Sequence, residues 1–297
     1  MRQPVDCDLG QTCFIQQFVD RDPGPSAQDF ACGPLSYDGH KGTDFGLPSI
    51  SVMRAGVEVL AAAPGIVSGV RDGMADTGYT KETAPEIEGR ECGNGVVIKH
   101  GDGWQTQYCH LKRGSVRVRS GDTVAAGEVL GQIGLSGKTQ FPHVHLSVRK
   151  NGKVIDPFAP NTTEICGEAD ETLWATTPEY TPTGVLNAGF STGIPSFAQV
   201  KDGPVPKPLK QMDEALVLWV YAFGSQPDDV VQLTISGPSG VLLSKNVPLE
   251  KTQAQYFRAV GKRRPRGGFP SGKYLGDIRL IRNGQEVDHH QTLVFVE

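Results

Sequence analysis

The chain has 297 residues, 38% of them hydrophobic, with 37 glycines, 21 prolines and a formal net charge of −4. This balance excludes a disordered chain, which would have few apolar residues, and argues against nucleic acid as the main partner, which would require a basic face. No apolar run of about 18 residues is present, so the sequence predicts no membrane-spanning helix. The length exceeds the roughly 100–200 residues of a single domain, so two domains are expected.

Residues 1–36 are predicted to form an irregular, cysteine-rich arm that disulfides fasten to the rest of the protein. The six cysteines of the chain are even in number and none forms a CxxC pair. This pattern favours disulfides in an oxidising compartment over a zinc ribbon or a redox motif. The first residues, MRQPVDCDLG, lack the apolar segment of a signal peptide. We therefore expect a periplasmic or secreted protein whose export signal has been removed.

Residues 37–171 are predicted to form an all-β domain, because short β-branched segments alternate there with glycine-containing turns. The clearest hairpin is GVVIKHGDGWQTQYCHL, whose turn lies at residues 101–103. A turn at this point brings Cys92 and Cys109 nearly opposite one another, so a disulfide between them is the preferred pairing.

A polar insertion occupies residues 72–91, with the sequence DGMADTGYTKETAPEIEGRE. It is too long for a hairpin turn and poor in core residues. Long loops of this kind often form a wall or lid of a functional site. A disordered surface loop is an equally open interpretation.

Residues 172–205 are rich in Thr, Pro, Ser and Gly and are predicted to be a linker. Residues 206–297 return to regularly spaced strands with turn signals between them, which predicts an immunoglobulin-like β-sandwich. The basic segment GKRRPRGG at residues 261–268 is interpreted as a solvated hairpin loop, with contact to an anionic polymer as the alternative.

Histidines with a possible chemical role lie in three short motifs of the first domain. In FPHVHLSV, His143 and His145 are two residues apart on a predicted strand, so they project from the same face. In HKGTD, His40 and Asp44 lie on a loop that enters a strand, and both are residue types that suit zinc. In QYCHL, strand alternation places His110 on the face opposite Cys109. His100, His289 and His290 are interpreted as structural.

Together, HKGTD, GNGVVIKHGDGWQTQYCHL, SGDTVAAGEVLGQIGLSG and FPHVHLSV resemble the lysostaphin/LytM-type zinc metallopeptidases, over about residues 37–157. The resemblance implies an antiparallel β-sheet peptidase domain in which His40, Asp44 and His145 hold Zn²⁺. Three protein ligands leave a fourth tetrahedral position for water, as a hydrolytic site requires. The other two active-site histidines of the family correspond to His110 and His143, whose imidazoles are suited to proton transfer near neutral pH. The sequence leaves open which of them is the base.

The resemblance also implies a substrate, namely the peptide cross-links or stem peptides of bacterial peptidoglycan, cut by an endopeptidase. We favour D-alanyl-diaminopimelate bonds over glycine bridges, because the cysteines indicate an oxidising compartment and no bridge-binding domain is recognisable. Beyond peptidoglycan, a protein or cell-wall contact through the C-terminal sandwich is expected.

Three alternatives remain at this stage. A catalytically inactive binding or activator module of the same fold is disfavoured because all five site positions are filled. A biotinyl or lipoyl carrier domain shares the SGDTVAAGEVLG hairpin, but the required lysine turn is absent. For the arm, structural bracing by disulfides is favoured over occlusion of the metal site.

Overall fold

The structure, a computed structural model, describes residues 1–162, 166–167, 171–205 and 207–297. The chain divides into two compact units, Met1–Thr181 and Pro182–Glu297. Antiparallel sheets form both units, which confirms the all-β prediction. Among the described residues, the search for a helix that could span a membrane found none.

The first unit contains a large antiparallel sheet with strand order β1-β2-β9-β6-β5-β4-β7, to which β10 adds beside β9, and a small sheet of β3 and β8. Two short helices accompany the sheets. The strands and helices described in this unit are β1 Phe14–Gln17, β2 Thr43–Gly46, α1 Ile50–Ala55, β3 Glu58–Leu60, β4 Gly65–Arg71, α2 Ala84–Ile87, β5 Asn94–Gly101, β6 Trp104–Leu111, β7 Thr123–Val124, β8 Val129–Gln132, β9 His143–Lys150 and β10 Lys153–Ile155.

A row of buried side chains fixes the register of the three central strands. Val96 on β5 lies opposite Tyr108 on β6, which in turn lies opposite Leu146 on β9, and all three are inaccessible to solvent. Because side chains alternate along a strand, burying Leu146 on the core face directs His143 and His145 to the other face. A shift of one residue would turn the histidines to the core face and the apolar side chains to the opposite face, so the hydrophobic residues determine where the site lies.

The N-terminal arm contributes a strand to the large sheet. β1 pairs antiparallel with β2 and forms one edge of that sheet. The prediction of a wholly irregular arm is therefore wrong for Phe14–Gln17, because the backbone of β2 offers hydrogen bonds that an extended segment can use. Three disulfides join Cys7 to Cys13, Cys32 to Cys166, and Cys92 to Cys109. The last of them confirms the pairing predicted from the hairpin.

The insertion at residues 72–91 is ordered rather than loose. The side chain of Asn94 accepts hydrogen bonds from the backbone of Gly73 and Met74, and the carboxylate of Asp76 accepts from the backbone of Arg113 and Leu135. These contacts fasten the insertion along the sheet and exclude the interpretation as a disordered surface loop.

The second unit is a sandwich of two antiparallel sheets, one with strand order β11-β12-β15 and the other β14-β13-β16-β17. Apolar side chains from both sheets form one core, as expected for a β-sandwich. The elements described in this unit are β11 Gly184–Ser191, α3 Phe197–Asp202, β12 Ala215–Ser225, β13 Val230–Gly237, β14 Gly240–Pro248, β15 Gln253–Arg263, β16 Gly272–Arg282 and β17 Gln285–Val296.

The segment expected to be a linker, residues 172–205, contains β11 and α3 and so differs from the prediction. β11 pairs along its whole length with β12, whose continuous apolar sequence supplies a partner that local periodicity does not reveal. Pro206, where the second domain was expected to begin, lies outside the described residues. The basic segment at residues 261–268 comprises the end of β15 and the first part of the loop that leads to β16, and its charged side chains are exposed.

Candidate metal centre

Three side chains converge on the face opposite the core, two from neighbouring strands and one from the loop that precedes them. Asp44 at β2 lies directly opposite His145 on β9, and His40 enters from the loop before β2. The distances are 2.8 Å from His145 Nδ1 to Asp44 Oδ1, 3.2 Å from His40 Nε2 to Asp44 Oδ1, and 3.1 Å between the two histidine nitrogens. The structure thus brings the three predicted ligand residues together.

This donor set fits zinc. Zinc accepts imidazole nitrogen and carboxylate oxygen at about 2.0–2.2 Å, and two tetrahedral ligand atoms are then about 3.3–3.5 Å apart. The three atoms observed here are a few tenths of an ångström closer than that, so a small outward movement would accommodate the ion. His40 and Asp44 are also buried, with exposed fractions of 3% and 2%, which limits competition from water.

Gly42 determines how the ring of His145 sits. A Cβ atom at residue 42 would lie 2.5 Å from Nε2 and 2.6 Å from Cε1 of His145. The backbone of the HKGTD loop therefore passes directly against the imidazole, and only glycine leaves room for it. The ring is thereby held with Nδ1 toward Asp44.

His143 and His110 lie beside the three converging residues. Their ring centroids are 4.7 Å apart, and Nε2 of His143 is 3.5 Å from Oδ1 of Asp44. Nδ1 of His110 donates to the carbonyl oxygen of Ser136 at 2.8 Å, and Nδ1 of His143 to that of Phe141 at 2.9 Å. Because a carbonyl can only accept, both rings carry hydrogen on Nδ1, and when neutral each has a free lone pair on Nε2.

His110 reaches this position through an irregular backbone. Its φ of 66° is left-handed, and its backbone N–H donates to the carbonyl oxygen of Cys92 rather than to β9. Cys109 lies opposite His145 in the sheet and so shares its face, whereas Tyr108 points into the core. The alternation argument that separated Cys109 from the site was therefore wrong, because the left-handed backbone of His110 interrupts the alternation within β6.

The loop at residues 134–142 supplies the carbonyl partners of both rings, and the insertion packs against it. The backbone of Lys138 donates to Glu91, that of Gly78 to Leu135, and that of Tyr79 to Thr139. Thr139 in turn places its hydroxyl 3.1 Å from Nδ1 of His143. The insertion thus forms a wall behind the loop that orients His110 and His143.

Burial and electrostatic contacts among the site residues shift their pKa values. Burial alone would raise the pKa of Asp44, but its electrostatic attraction to the His40 and His143 rings and the hydrogen bond from His145 hold this pKa well below its usual value. Burial would lower the pKa of His40, but the negative charge of Asp44 outweighs it and raises this pKa. Burial lowers the pKa of His143, and that of His110 well below the usual range, so both rings are neutral at pH 7.

Some residues at the site carry no sequence signal. The carbonyl oxygen of Phe18 accepts a hydrogen bond from Nδ1 of His40 at 2.6 Å, and the ring of Tyr37 packs 4.4 Å from the His40 ring. Backbone carbonyls are present at every residue, so only the fold reveals which ones face a histidine. Tyr37 precedes His40 closely in the sequence, and a search for aromatic residues next to HKGTD could have found it.

Of the remaining histidines, His100 lies on β5, and His289 and His290 lie on β17 of the second unit. His100 donates from Nδ1 to the carbonyl oxygen of Pro64 and lies 2.8 Å from the hydroxyl of Thr106. His289 contacts the carboxylate of Asp277 at 2.7 Å. His290 lies opposite Ile278 on the neighbouring strand.

Comparison with known proteins identifies the class of the first unit. Residues 38–157 match the family model described as Peptidase family M23. This segment contains the five histidine and aspartate residues of the site, and it belongs to that metallopeptidase family.

Curated relatives match the same part of the chain. The DD-carboxypeptidase/endopeptidase Mpg of Neisseria meningitidis serogroup B is 30% identical over 122 residues, which cover 40% of this chain and 22% of Mpg. The peptidoglycan DD-endopeptidase ShyA of Vibrio cholerae is 28% identical over 122 residues, covering 41% of this chain and 23% of ShyA. The matched segments therefore span only about a fifth of the length of these relatives.

Among solved structures, a mutant of the catalytic domain of the prophage-encoded M23 protein EnpA from Enterococcus faecalis matches with 25% identity and a TM-score of 0.36. That match covers 52% of this chain and 95% of the EnpA domain. The catalytic domain of lysostaphin from Staphylococcus simulans matches with 25% identity and a TM-score of 0.31, over 43% of this chain and 85% of that domain.

Proposed function

We propose that the protein is a zinc-dependent endopeptidase that hydrolyses peptide bonds of bacterial peptidoglycan outside the cytoplasm. The observation that carries this proposal is the convergence of His40, Asp44 and His145, with the free Nε2 atoms of two further neutral histidines beside them. Membership of the matched segment in peptidase family M23 supports the reaction class.

His40 through Nε2, Asp44 through Oδ1 and His145 through Nδ1 would hold the zinc ion. When bound, zinc acts as a Lewis acid toward the scissile carbonyl group and lowers the pKa of water at its open position. The depressed pKa of Asp44 keeps this ligand ionised, as coordination requires. Three protein ligands are the number typical of hydrolytic rather than structural zinc sites.

His110 and His143 would transfer the protons of the reaction. Each ring can accept a proton on Nε2 while its Nδ1 hydrogen remains bonded to a backbone carbonyl group. One ring takes the proton of the attacking water, and a protonated ring returns it to the leaving amine or donates a hydrogen bond to the oxyanion. Their lowered pKa values ensure that both begin in the accepting form at neutral pH.

We propose D-alanyl-diaminopimelate cross-links as the substrate. Support comes from the names of the relatives, which include the peptidoglycan DD-endopeptidases ShyA and ShyC of Vibrio cholerae. Three disulfides support a location in an oxidising compartment, where peptidoglycan lies.

Digestion of defined cross-linked muropeptides, followed by mass analysis, tests the proposal. Purified protein should contain about one zinc per chain and convert dimeric muropeptides to monomers, and a chelator should abolish the conversion. His145→Ala should lose both metal and activity, whereas His143→Ala should retain metal and lose activity. His290→Ala, which removes a histidine of the second unit, serves as the matched control and should change neither.

Two results would contradict parts of this assignment. Loss of zinc in His143→Ala together with retention in His145→Ala would reverse the roles within the pair. A wild-type protein that binds zinc and peptidoglycan but cleaves no muropeptide would instead indicate an inactive binding or activator module.

A further inference from the structure

The N-terminal arm contacts the candidate metal centre at the loop that carries His40. The carbonyl oxygen of Phe18 accepts from Nδ1 of His40 at 2.6 Å, and the backbone N–H of Asp20 donates to the His40 carbonyl oxygen at 2.9 Å. The carboxylate of Asp20 also accepts from the backbone of Gly39 at 2.8 Å. Three hydrogen bonds from two arm residues therefore fix both the backbone and the ring of His40.

The arm also supports the strand that carries Asp44. Gln17 on β1 lies opposite Asp44 on β2, and Asp44 lies opposite His145 on β9. The arm thus covers the outer edge of β2, the strand that carries Asp44 and pairs on its other side with β9. Without β1, β2 would be an edge strand with unpaired backbone groups.

Tertiary contacts hold the arm in this position. The ring of Phe18 is 1% exposed and packs among Phe30, Phe158 and Tyr180, with ring centroids 5.1–5.4 Å from its own. Cys32, which follows this segment, is joined by a disulfide to Cys166. An aromatic cluster and a disulfide between residues 134 apart in sequence therefore hold the arm against the rest of the first unit.

We propose that residues 18–20 of the arm position His40 and its loop for metal binding, and that the Cys32–Cys166 disulfide secures this positioning. The arm contacts His40 on the side of the ring remote from the other two ligand residues: it accepts a hydrogen bond from Nδ1, whereas Nε2 faces Asp44 and His145. A partner on the remote nitrogen fixes the tautomer and the direction of a ligand imidazole, and loss of such partners typically weakens metal binding about 10–100-fold. The arm is thus a positioning element rather than an occluding one.

This inference rests on the zinc-binding part of the proposed function and not on hydrolysis, so its test measures metal affinity. Zinc dissociation constants are obtained by competition with a chromophoric chelator for Asp20→Ala and for Asp22→Ala. Asp22 lies two residues further on, and its carboxylate accepts from the backbone of Gly24, which is remote from the His40 loop in sequence. Asp20→Ala removes the carboxylate that holds the loop backbone at Gly39, beside His40, and we expect it to weaken zinc binding about tenfold, at the low end of the range for lost outer contacts. Asp22→Ala should change the affinity less than twofold.

A second measurement separates positioning from a loss of folding. The visible spectrum of the Co²⁺-substituted protein reports ligand geometry, and in Asp20→Ala it should shift while the far-ultraviolet circular dichroism stays unchanged. Asp20→Asn, which retains one acceptor oxygen, should recover part of the affinity.

The disulfide is tested by replacing both cysteines with serine. Cys32→Ser/Cys166→Ser should weaken zinc binding, whereas Cys7→Ser/Cys13→Ser, which opens a link across only 6 residues, should leave it within twofold. If Asp20→Ala does not fold, this pair of variants decides the question. Wild-type zinc affinity in a folded Asp20→Ala or Cys32→Ser/Cys166→Ser protein would overturn the inference. Absence of zinc from the wild type would instead overturn the proposed function.

Discussion

The carbonyl oxygen of Ser136 lies 2.8 Å from Nδ1 of His110, and this single contact determines which nitrogen of the ring faces the site. Phe141 does the same for His143 at 2.9 Å. Both carbonyl groups belong to one loop, so the conformation of that loop sets the tautomers of two histidines from different strands. The proposed proton transfer would therefore depend on backbone geometry as much as on the histidines themselves.

Replacing Thr139 tests this dependence. Its hydroxyl donates to the carbonyl oxygen of Phe141 at 2.7 Å and lies 3.1 Å from Nδ1 of His143, so it fixes both the ring and its partner. We expect Thr139→Ala to lower kcat about tenfold, with KM and zinc content nearly unchanged. Steady-state kinetics on a soluble muropeptide measure this.

Thr139→Ser provides the matched control, because it retains the hydroxyl while losing only the methyl group. It should keep most of the wild-type kcat. Equal rates in Thr139→Ala and the wild type would show that the Phe141 carbonyl group alone orients the ring.

Replacing Gly42 tests the close approach of the HKGTD loop to His145. A Cβ at this residue would lie 2.5 Å from Nε2 of His145 and 2.6 Å from the carbonyl oxygen of Leu146. Since the backbone oxygen belongs to a central strand, the loop and the ring must move instead. We expect Gly42→Ala to weaken zinc binding about tenfold or more, measured by chelator competition.

Gly69→Ala is the control for Gly42→Ala, because a Cβ at residue 69 meets no atom within 4 Å. Its zinc affinity should equal that of the wild type. Unchanged affinity in Gly42→Ala would mean that the loop can relax without moving His145.

Removing the Cys92–Cys109 disulfide should destabilise the first unit selectively. The two cysteines are 17 residues apart, and a closed loop of this size stabilises a fold by about 3 kcal/mol in the chain-entropy description. We expect Cys92→Ala/Cys109→Ala to lose about this much unfolding free energy. Hydrogen exchange measured by mass spectrometry resolves each unit, and protection in residues 207–297 should not change.

Acid should weaken the second unit through Asp277. Burial alone would raise the pKa of this carboxyl group, but hydrogen bonds from Gln291, His289 and Arg279 lower it to about 2, from a usual value of 3.8. A lowered folded-state pKa adds stability that is present above the unfolded value and is lost as the pH falls from about 4 to about 2.

Urea unfolding of the second unit between pH 5 and pH 2 checks this expectation. Asp277→Asn should flatten the pH dependence of the midpoint, because it removes the titrating carboxylate. Glu250→Gln, an exposed acidic residue of the same unit, should leave the dependence as in the wild type. Identical slopes for Asp277→Asn and the wild type would contradict the prediction.

The sequence predicted the regular parts of the site better than the irregular ones. His143 and His145 share a face because β9 is a regular strand, and period two is sufficient to predict this. The same period of two does not predict the direction of His110, because its left-handed backbone redirects the ring. The partners of these rings on the loop are carbonyl groups, which no residue type marks in a sequence.

The arm illustrates a second limit of prediction. Its cysteines indicated disulfides, yet neither β1 nor the contact of Phe18 with His40 could be predicted from local pattern. Both depend on the segment around β2, which begins at Thr43, 26 residues after β1 ends at Gln17. Pairings between distant segments arise from tertiary packing, which overrides local propensity.

The position of β1 also matters when a shorter fragment of the first unit is prepared. The segment matched to the M23 family begins at residue 38, after β1, so a recombinant fragment trimmed to that match would expose the backbone of β2. Unpaired strand edges recruit other chains, and such a fragment is expected to self-associate. Low activity or poor solubility of the trimmed fragment would then report a missing strand rather than a defective active site.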